Sequence, residues 1–215
     1  MNPMPNWPNA FVYYTEDDIR IREFLISQIS SRLEAEFQVL NRAIRFVRVE
    51  TPCIVPQAIV QQHCDADFAL WKLQDDDLYL RPESTKGTYA MFEVVVPQKA
   101  QLQKSLPLCL WQSGLSFRVE QDKTFSNLRF KQFYQLEFQL AYAPNTQADY
   151  HSYAVFSVTQ ILKKFFKQEV RAEILTEDRV TSSRESLPFY SSRTTDIYLD
   201  RWEVVAVSSR TDFEY

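Results

Sequence analysis

The sequence predicts an α+β protein, built as an antiparallel β-sheet flanked by helices. Three observations carry that expectation. A long apolar stripe at helical spacing opens the chain, a long alternating segment sits at its middle, and the strand candidates are joined by connections of hairpin rather than crossover length. The order is helix, strands, helix, strands, with no repeat or linker, so residues 1–215 are expected to form a single domain.

The first helix starts at Thr15, an N-cap followed by Glu16, Asp17 and Asp18, where the helix dipole favours acids. Ile26, Ile29, Leu33, Phe37 and Leu40 recur at spacings of three and four and carry the helix to about Leu40. Ile44 to Val49 alternates as a strand, and Pro52 and Pro56 bracket a break after it. Phe68 to Leu73 and Leu78 to Arg81 flank the acidic turn Asp75, Asp76, Asp77 and predict a hairpin. Ser84 is placed to cap a short helix through Phe92.

Three extended segments follow, Leu108 to Gln112, Leu115 to Glu120 and Leu128 to Tyr142, which should form the centre of the sheet. Asp149 to Lys167 carries Tyr153, Phe156, Ile161, Leu162 and Phe165 at mostly helical spacing, a second helix to cover that sheet. Val170 to Leu175 alternates as a strand, Ser182 to Arg193 reads as a polar loop, and Thr194 to Leu199 and Trp202 to Ser208 are strands again.

Composition excludes some roles. A 45% hydrophobic and 14% aromatic chain supplies ample core, and a net charge of −4 argues against holding nucleic acid by bulk electrostatics. No apolar run approaches the roughly 20 residues that span a bilayer, and the N-terminus lacks the pattern of a signal peptide, so no membrane partner and a cytoplasmic location are expected. Cys53, Cys64 and Cys109 form no CxxC pair, and His63 beside Cys64 lacks partners for a metal site, so no protein metal site is expected. Only two glycines occur, Gly87 and Gly114, which should sit where the backbone demands them.

Parity splits the long strand into two faces. Leu128, Phe130, Tyr134, Leu136, Phe138 and Leu140 lie on one, with Gln132 the polar exception, and this face is expected to be core. Arg129, Lys131, Phe133, Gln135, Glu137 and Gln139 lie on the other. Leu115, Phe117 and Val119 join the apolar face, leaving Ser116, Arg118 and Glu120 opposite. A solvated sheet face with cross-strand ion pairs is one reading; an anion site, with arginine forks on phosphate and Phe133 stacked on a base, is the other.

The motifs resemble a known family. SFRVEQDKTFSNLRFKQF, Ser116 to Phe133, is similar to the second signature motif of class II aminoacyl-tRNA synthetases, and FKQFYQLEFQ resembles the EFTQAEIE continuation of the glycyl branch. LYLRPESTKG, Leu78 to Gly87, resembles that branch's LRPETAQG segment. FYSSRTTDIYLDRWEVVAVSSRTDF, Phe189 to Phe213, resembles its HYxxxTTDIE and WGELxGxxxRTDFDL segments, with Phe189 and Tyr198 replacing the histidine and the DIE glutamate. The early helix and the strand through Pro52 are similar to the looser first motif, which implies a homodimer.

The resemblance implies a class II synthetase-like fold using ATP and Mg2+ to activate an amino acid, glycine being suspected, for transfer to the tRNA acceptor end. It implies that Arg118 grips the α-phosphate and is catalytic, that Glu120 faces adenine or the tRNA end, that Arg129 holds the γ-phosphate side, and that Phe133 stacks beneath adenine. Glu83 would approach the substrate amino group, although a helix N-terminal acid beside Ser84 is its simpler role. Gln135, Glu137, Glu203 and Ser209 would line the amino-acid pocket. Arg210 and Asp212 match the RTDFD run, as ion pair or as ligand contact. The sequence stops at Tyr215, before the family's third motif and anticodon-binding domain, so impaired catalysis is expected. A noncatalytic accessory paralogue and transfer to a non-tRNA acceptor are the alternatives.

Overall fold

The computed structural model describes residues 14–57, 71–73, 77–96, 104–117, 132–143, 145–174, 194–200 and 202–208. They fall into two compact units. The first takes in residues up to Ile26 and from Phe46 to Ala141, and the second Ser27 to Arg45 and Tyr142 onward.

Helix α1 (Glu16–Leu40) begins where the cap residue places it. The Asp18 N–H donates to Thr15 Oγ1 at 3.2 Å, and the Thr15 N–H donates back to Asp18 Oδ2 at 2.8 Å, a reciprocal box that satisfies two free donors of the helix start. In the first unit β1 (Arg45–Arg48), β4 (Leu108–Phe117) and β5 (Gln132–Ala141) form one sheet in the order β1-β4-β5. A second, two-stranded sheet pairs β2 (Ile54–Pro56) with β3 (Leu78–Leu80). Helix α2 (Thr85–Val95) packs on β4 and β5.

Four expectations are corrected here. Ile54–Pro56 is a strand, not a break, because Pro56 sits at its end, where a missing N–H costs little. The hairpin itself holds at Lys72, which bridges Tyr79, while residues 68–70 lie outside the described residues. Leu108–Gln112 and the start of Leu115–Glu120 are one continuous strand, since Gly114 pairs with Gln135 without leaving extended backbone. Helix α2 runs past Phe92 to Val95, and Ser84, although at its N-cap, makes no capping hydrogen bond with its side chain.

The fourth correction concerns the faces. Parity sorts the residues as expected, with Ser116 opposite Phe133, Gly114 opposite Gln135 and Gln112 opposite Glu137. The polar face, however, is the more deeply buried at this end of the sheet: Gln112 is 1% exposed and Gln139 9%, whereas Tyr134 on the apolar face is 37% exposed. Helix α2 covers the polar side and satisfies it by hydrogen bonds. On the other side Trp111 stacks on Phe138, and the Arg22 guanidinium lies 3.9 Å from the Tyr134 ring centre.

In the second unit β6 (Val170–Ile174), β7 (Thr194–Leu199) and β8 (Trp202–Ser208) form an antiparallel sheet in that order. Asp200 opens the β7–β8 turn at φ 57°, a conformation aspartate tolerates better than most residues. Helix α3 (Tyr150–Phe165) is capped by Asp149, which accepts the Ser152 N–H at 3.0 Å, and packs on all three strands. Leu162, Val170 and Ile197 make the centre of this core, with Val155, Val158, Val205 and Val207 against it. Phe37 of α1 meets the rings of Tyr150 and Tyr153, and the Tyr153 hydroxyl donates to the Glu36 carbonyl at 2.9 Å.

Candidate functional site

The site grows from the turn between β3 and α2, Arg81 to Ser84. Ser84 is fully buried, and its backbone N–H donates to Gln135 Oε1 at 3.1 Å. Its hydroxyl has one proton and two acceptors in reach, Glu137 Oε2 at 2.5 Å and Gln135 Oε1 at 3.3 Å, so the shorter bond to Glu137 takes it. This is why the serine does not cap its helix. Ser116 Oγ, from β4, donates to the same Gln135 oxygen at 3.0 Å, and Gln139 Nε2 donates to Glu137 Oε1 at 2.5 Å. With its oxygen held by Ser84 and Ser116, the Gln135 amide must present its NH2 away from them.

Beneath the turn lies a second layer. Gln112 Nε2 donates to the Ser84 carbonyl at 3.1 Å and to Thr88 Oγ1, while its oxygen accepts from Thr51 Oγ1 at 2.8 Å. Arg81, only 4% exposed, donates from Nη1 to Thr51 Oγ1 at 2.6 Å and to the Thr51 carbonyl at 2.9 Å, and from Nε to the Leu115 carbonyl at 2.8 Å. A charged group is thus buried among neutral acceptors, an arrangement that costs solvation and persists only where the geometry is tightly set.

The two glycines explain themselves here. Neither has a positive φ. A Cβ at Gly87 would lie 2.7 Å from Thr51 Oγ1, and one at Gly114 would collide with Arg81 Nη2. Close approach of side chains, not backbone dihedral, demands glycine at both.

Of the residues expected in the site, the structure brings Gln135, Glu137 and Phe133 onto one face of β5, with Ser84 hydrogen-bonded to the first two and Glu83 half-buried beside it in the chain. Arg118, Glu120, Arg129, Ser209, Arg210 and Asp212 lie outside the described residues. Glu203 stands in β8 of the second unit, in register with Tyr198. Sequence reasoning missed Thr51, Arg81, Gln112 and Ser84 as site-builders. The scarcity of glycine was a signal for Thr51 and Arg81, the side chains that the two glycines accommodate. Among the described residues no three His, Cys, Asp or Glu side chains gather as a metal site.

Residues 68–213 match the family model of the tRNA synthetase class II core domain (G, H, P, S and T). The chain belongs to this class II family. The glycine–tRNA ligase of Mesoplasma florum is 30% identical over 186 residues, 80% of this chain and 39% of the relative. That of Geobacillus kaustophilus is 29% identical over 146 residues, 65% of this chain and 29% of the relative. The chain therefore spans between a quarter and two-fifths of the length of these ligases. Among solved structures, prolyl-tRNA synthetase from Cryptosporidium parvum, complexed with L-proline and AMP, superimposes with a TM-score of 0.62 at 17% identity, covering 93% of this chain and 38% of that one. That likeness shows the class II synthetase fold, an α+β architecture of antiparallel strands and helices. Within it, the LRPE turn and the strand that continues the second motif are the two segments joined through Ser84.

Proposed function

We propose that this chain is the core of an ATP-dependent ligase that activates glycine and passes it to the tRNA acceptor end. The observation that carries the reading is the docking of the LRPE turn onto β5. Two motifs 51 and 53 residues apart in sequence are joined by the bonds of Ser84 to Gln135 and Glu137. Glu83 and Glu137 then supply the carboxylates that an α-ammonium group needs. The Gln135 NH2 is turned to donate to a substrate carboxylate or carbonyl oxygen. Phe133, on the same face, serves as the platform for adenine. Arg118 and Arg129 hold the α-phosphate and the γ-phosphate side, Arg118 offsetting the charge that builds as the carboxylate displaces pyrophosphate. Glu120 faces the nucleotide.

Mg2+ would ride on the nucleotide's phosphates, the hard oxygen donors it prefers. The exposed Ile21 and Phe24 of α1 support self-association as a homodimer. No helix among the described residues is long and apolar enough to cross a membrane.

The test is calorimetry with ATP beside glycine-dependent pyrophosphate exchange, on wild type, Arg118→Ala and Glu83→Gln. Wild type should exchange slowly, Arg118→Ala should lose about 100- to 1000-fold more in rate, and Glu83→Gln should lose glycine affinity while keeping ATP. No ATP binding by wild type would refute the reading and leave an accessory, noncatalytic protein.

A further inference from the structure

Both glycines in the chain accommodate one pair of side chains, Thr51 and Arg81. That coincidence singles out the pair. Arg81 reaches three segments at once: its guanidinium holds the Thr51 carbonyl and hydroxyl and the Leu115 carbonyl of β4, while its backbone joins β3 to the Ser84 turn. Its own carbonyl accepts the Phe117 N–H at 2.9 Å, and its N–H donates to the Cys53 carbonyl at 2.9 Å. Three residues further on, Ser84 is held from below by Gln112, which also takes the Thr51 hydroxyl.

We infer that Arg81 is a positioning residue, whose buried guanidinium sets how the Ser84 turn lies on Gln135 and Glu137. It touches no substrate. The inference rests on the reading above only for the identity of the ligand, because the geometry it controls can be measured without any ligand. The physical case is the direction of its bonds. A hydrophobic side chain in this place would fill the space but fix nothing, whereas Nε and Nη1 lock the turn to β4 and to Thr51 along defined axes. Gly114 leaves room for Nη2, so a methyl group there should push the guanidinium off its acceptors without deleting any hydrogen-bonding group.

The experiment uses the full chain and the variants Gly114→Ala, Arg81→Lys and both together. Amide hydrogen exchange is read at Ser84, whose N–H is held by Gln135, and at Leu110 and Phe138 in the sheet. Glycine and ATP dissociation constants are measured alongside. In Gly114→Ala the Ser84 amide should exchange about tenfold faster or more, with Leu110 and Phe138 unchanged. Glycine affinity should fall about 10- to 100-fold and ATP affinity by about twofold at most. In the Arg81→Lys background the shorter head group clears the methyl, so Gly114→Ala should add about twofold or less there.

An unchanged Ser84 amide in Gly114→Ala overturns the inference. Equal acceleration at Ser84, Leu110 and Phe138 also overturns it, by showing only general loosening of the sheet. If Gly114→Ala does not fold, Thr51→Val takes its place, removing one acceptor of Nη1 with little change of shape, and the same amide pattern is required. Wild type that binds no glycine while the Ser84 pattern appears would sink the proposed function and leave the positioning role standing.

Discussion

The two three-stranded sheets among the described residues are each covered by a helix, yet contrasting materials lie between helix and sheet. Under α3 the layer is mainly apolar, with Leu162, Val170 and Ile197 at its centre, although it also holds the buried hydrogen bond between His151 and Thr195. Under α2 it is largely polar, with Gln112, Ser116, Gln135 and Glu137 bonded to Ser84, or to one another, at 2.5–3.1 Å. Apolar burial is roughly proportional to area and indifferent to direction, so it holds a sheet without dictating where any one atom lies. A hydrogen-bonded layer gains little net energy per bond but specifies orientation. The contrast locates stability in the one and a shaped surface in the other.

The comparison is broken most readily by Ile197→Ala, which truncates a side chain with 0% exposure. It should cost about 2–5 kcal/mol in denaturant unfolding, the range for a large core deletion. Exchange at the Ser84 amide should not move beyond that global loss. A cost under about 1 kcal/mol would mean that the apolar layer is not what holds the β6-β7-β8 sheet.

Gln112→Leu should be milder and differently distributed. It removes the Gln112 bonds to the Ser84 carbonyl and to Thr88 Oγ1 and leaves the Thr51 hydroxyl proton without its acceptor, all without opening a cavity, for about 1–3 kcal/mol. Its larger effect should be on geometry, seen as weaker glycine binding at unchanged ATP affinity. Equal losses of both ligands would show that the polar layer acts as ordinary core.

The smallest effect sharpens the contrast by removing burial altogether. Asp18 is exposed, and its carboxyl titrates below its ordinary value because the Thr15 hydroxyl, and then the Thr15 N–H, bond to it. A depressed carboxyl stabilises the fold fully above its unfolded pKa, and that contribution disappears as pH falls through the lower folded value. The α1 start should therefore fray below about pH 4, by a slight loss of helical circular dichroism. Asp18→Asn should abolish that pH dependence. A transition as large as that of Gln112→Leu would contradict the claim that bonds open to water contribute little.

Part of the layer around Ser84 was visible before the fold, and the pattern of what was not is instructive. Strand parity put Phe133, Gln135 and Glu137 on one face, and the structure keeps them there, because the alternation of side chains is a property of any extended backbone. It could not say that this polar face would be buried beneath α2. That depended on Ser84 finding Gln135 and Glu137, partners more than fifty residues away.

By itself the sequence determined the local elements: α1 from its Thr15 box and apolar stripe, α3 from Asp149 and its repeat, and β7 and β8 at their observed limits. Its motifs also determined the class II family. These are readings of short range, since periodicity and capping depend on neighbours within a turn or two. Only the tertiary structure decided that Gly114 continues a strand, that Ser84 leaves its own helix uncapped, and that Arg81 is buried with Thr51 between the chain's two glycines. Each of those turns on which distant donor meets which acceptor once water is excluded, and hydrogen bonds of that kind leave no period in the sequence.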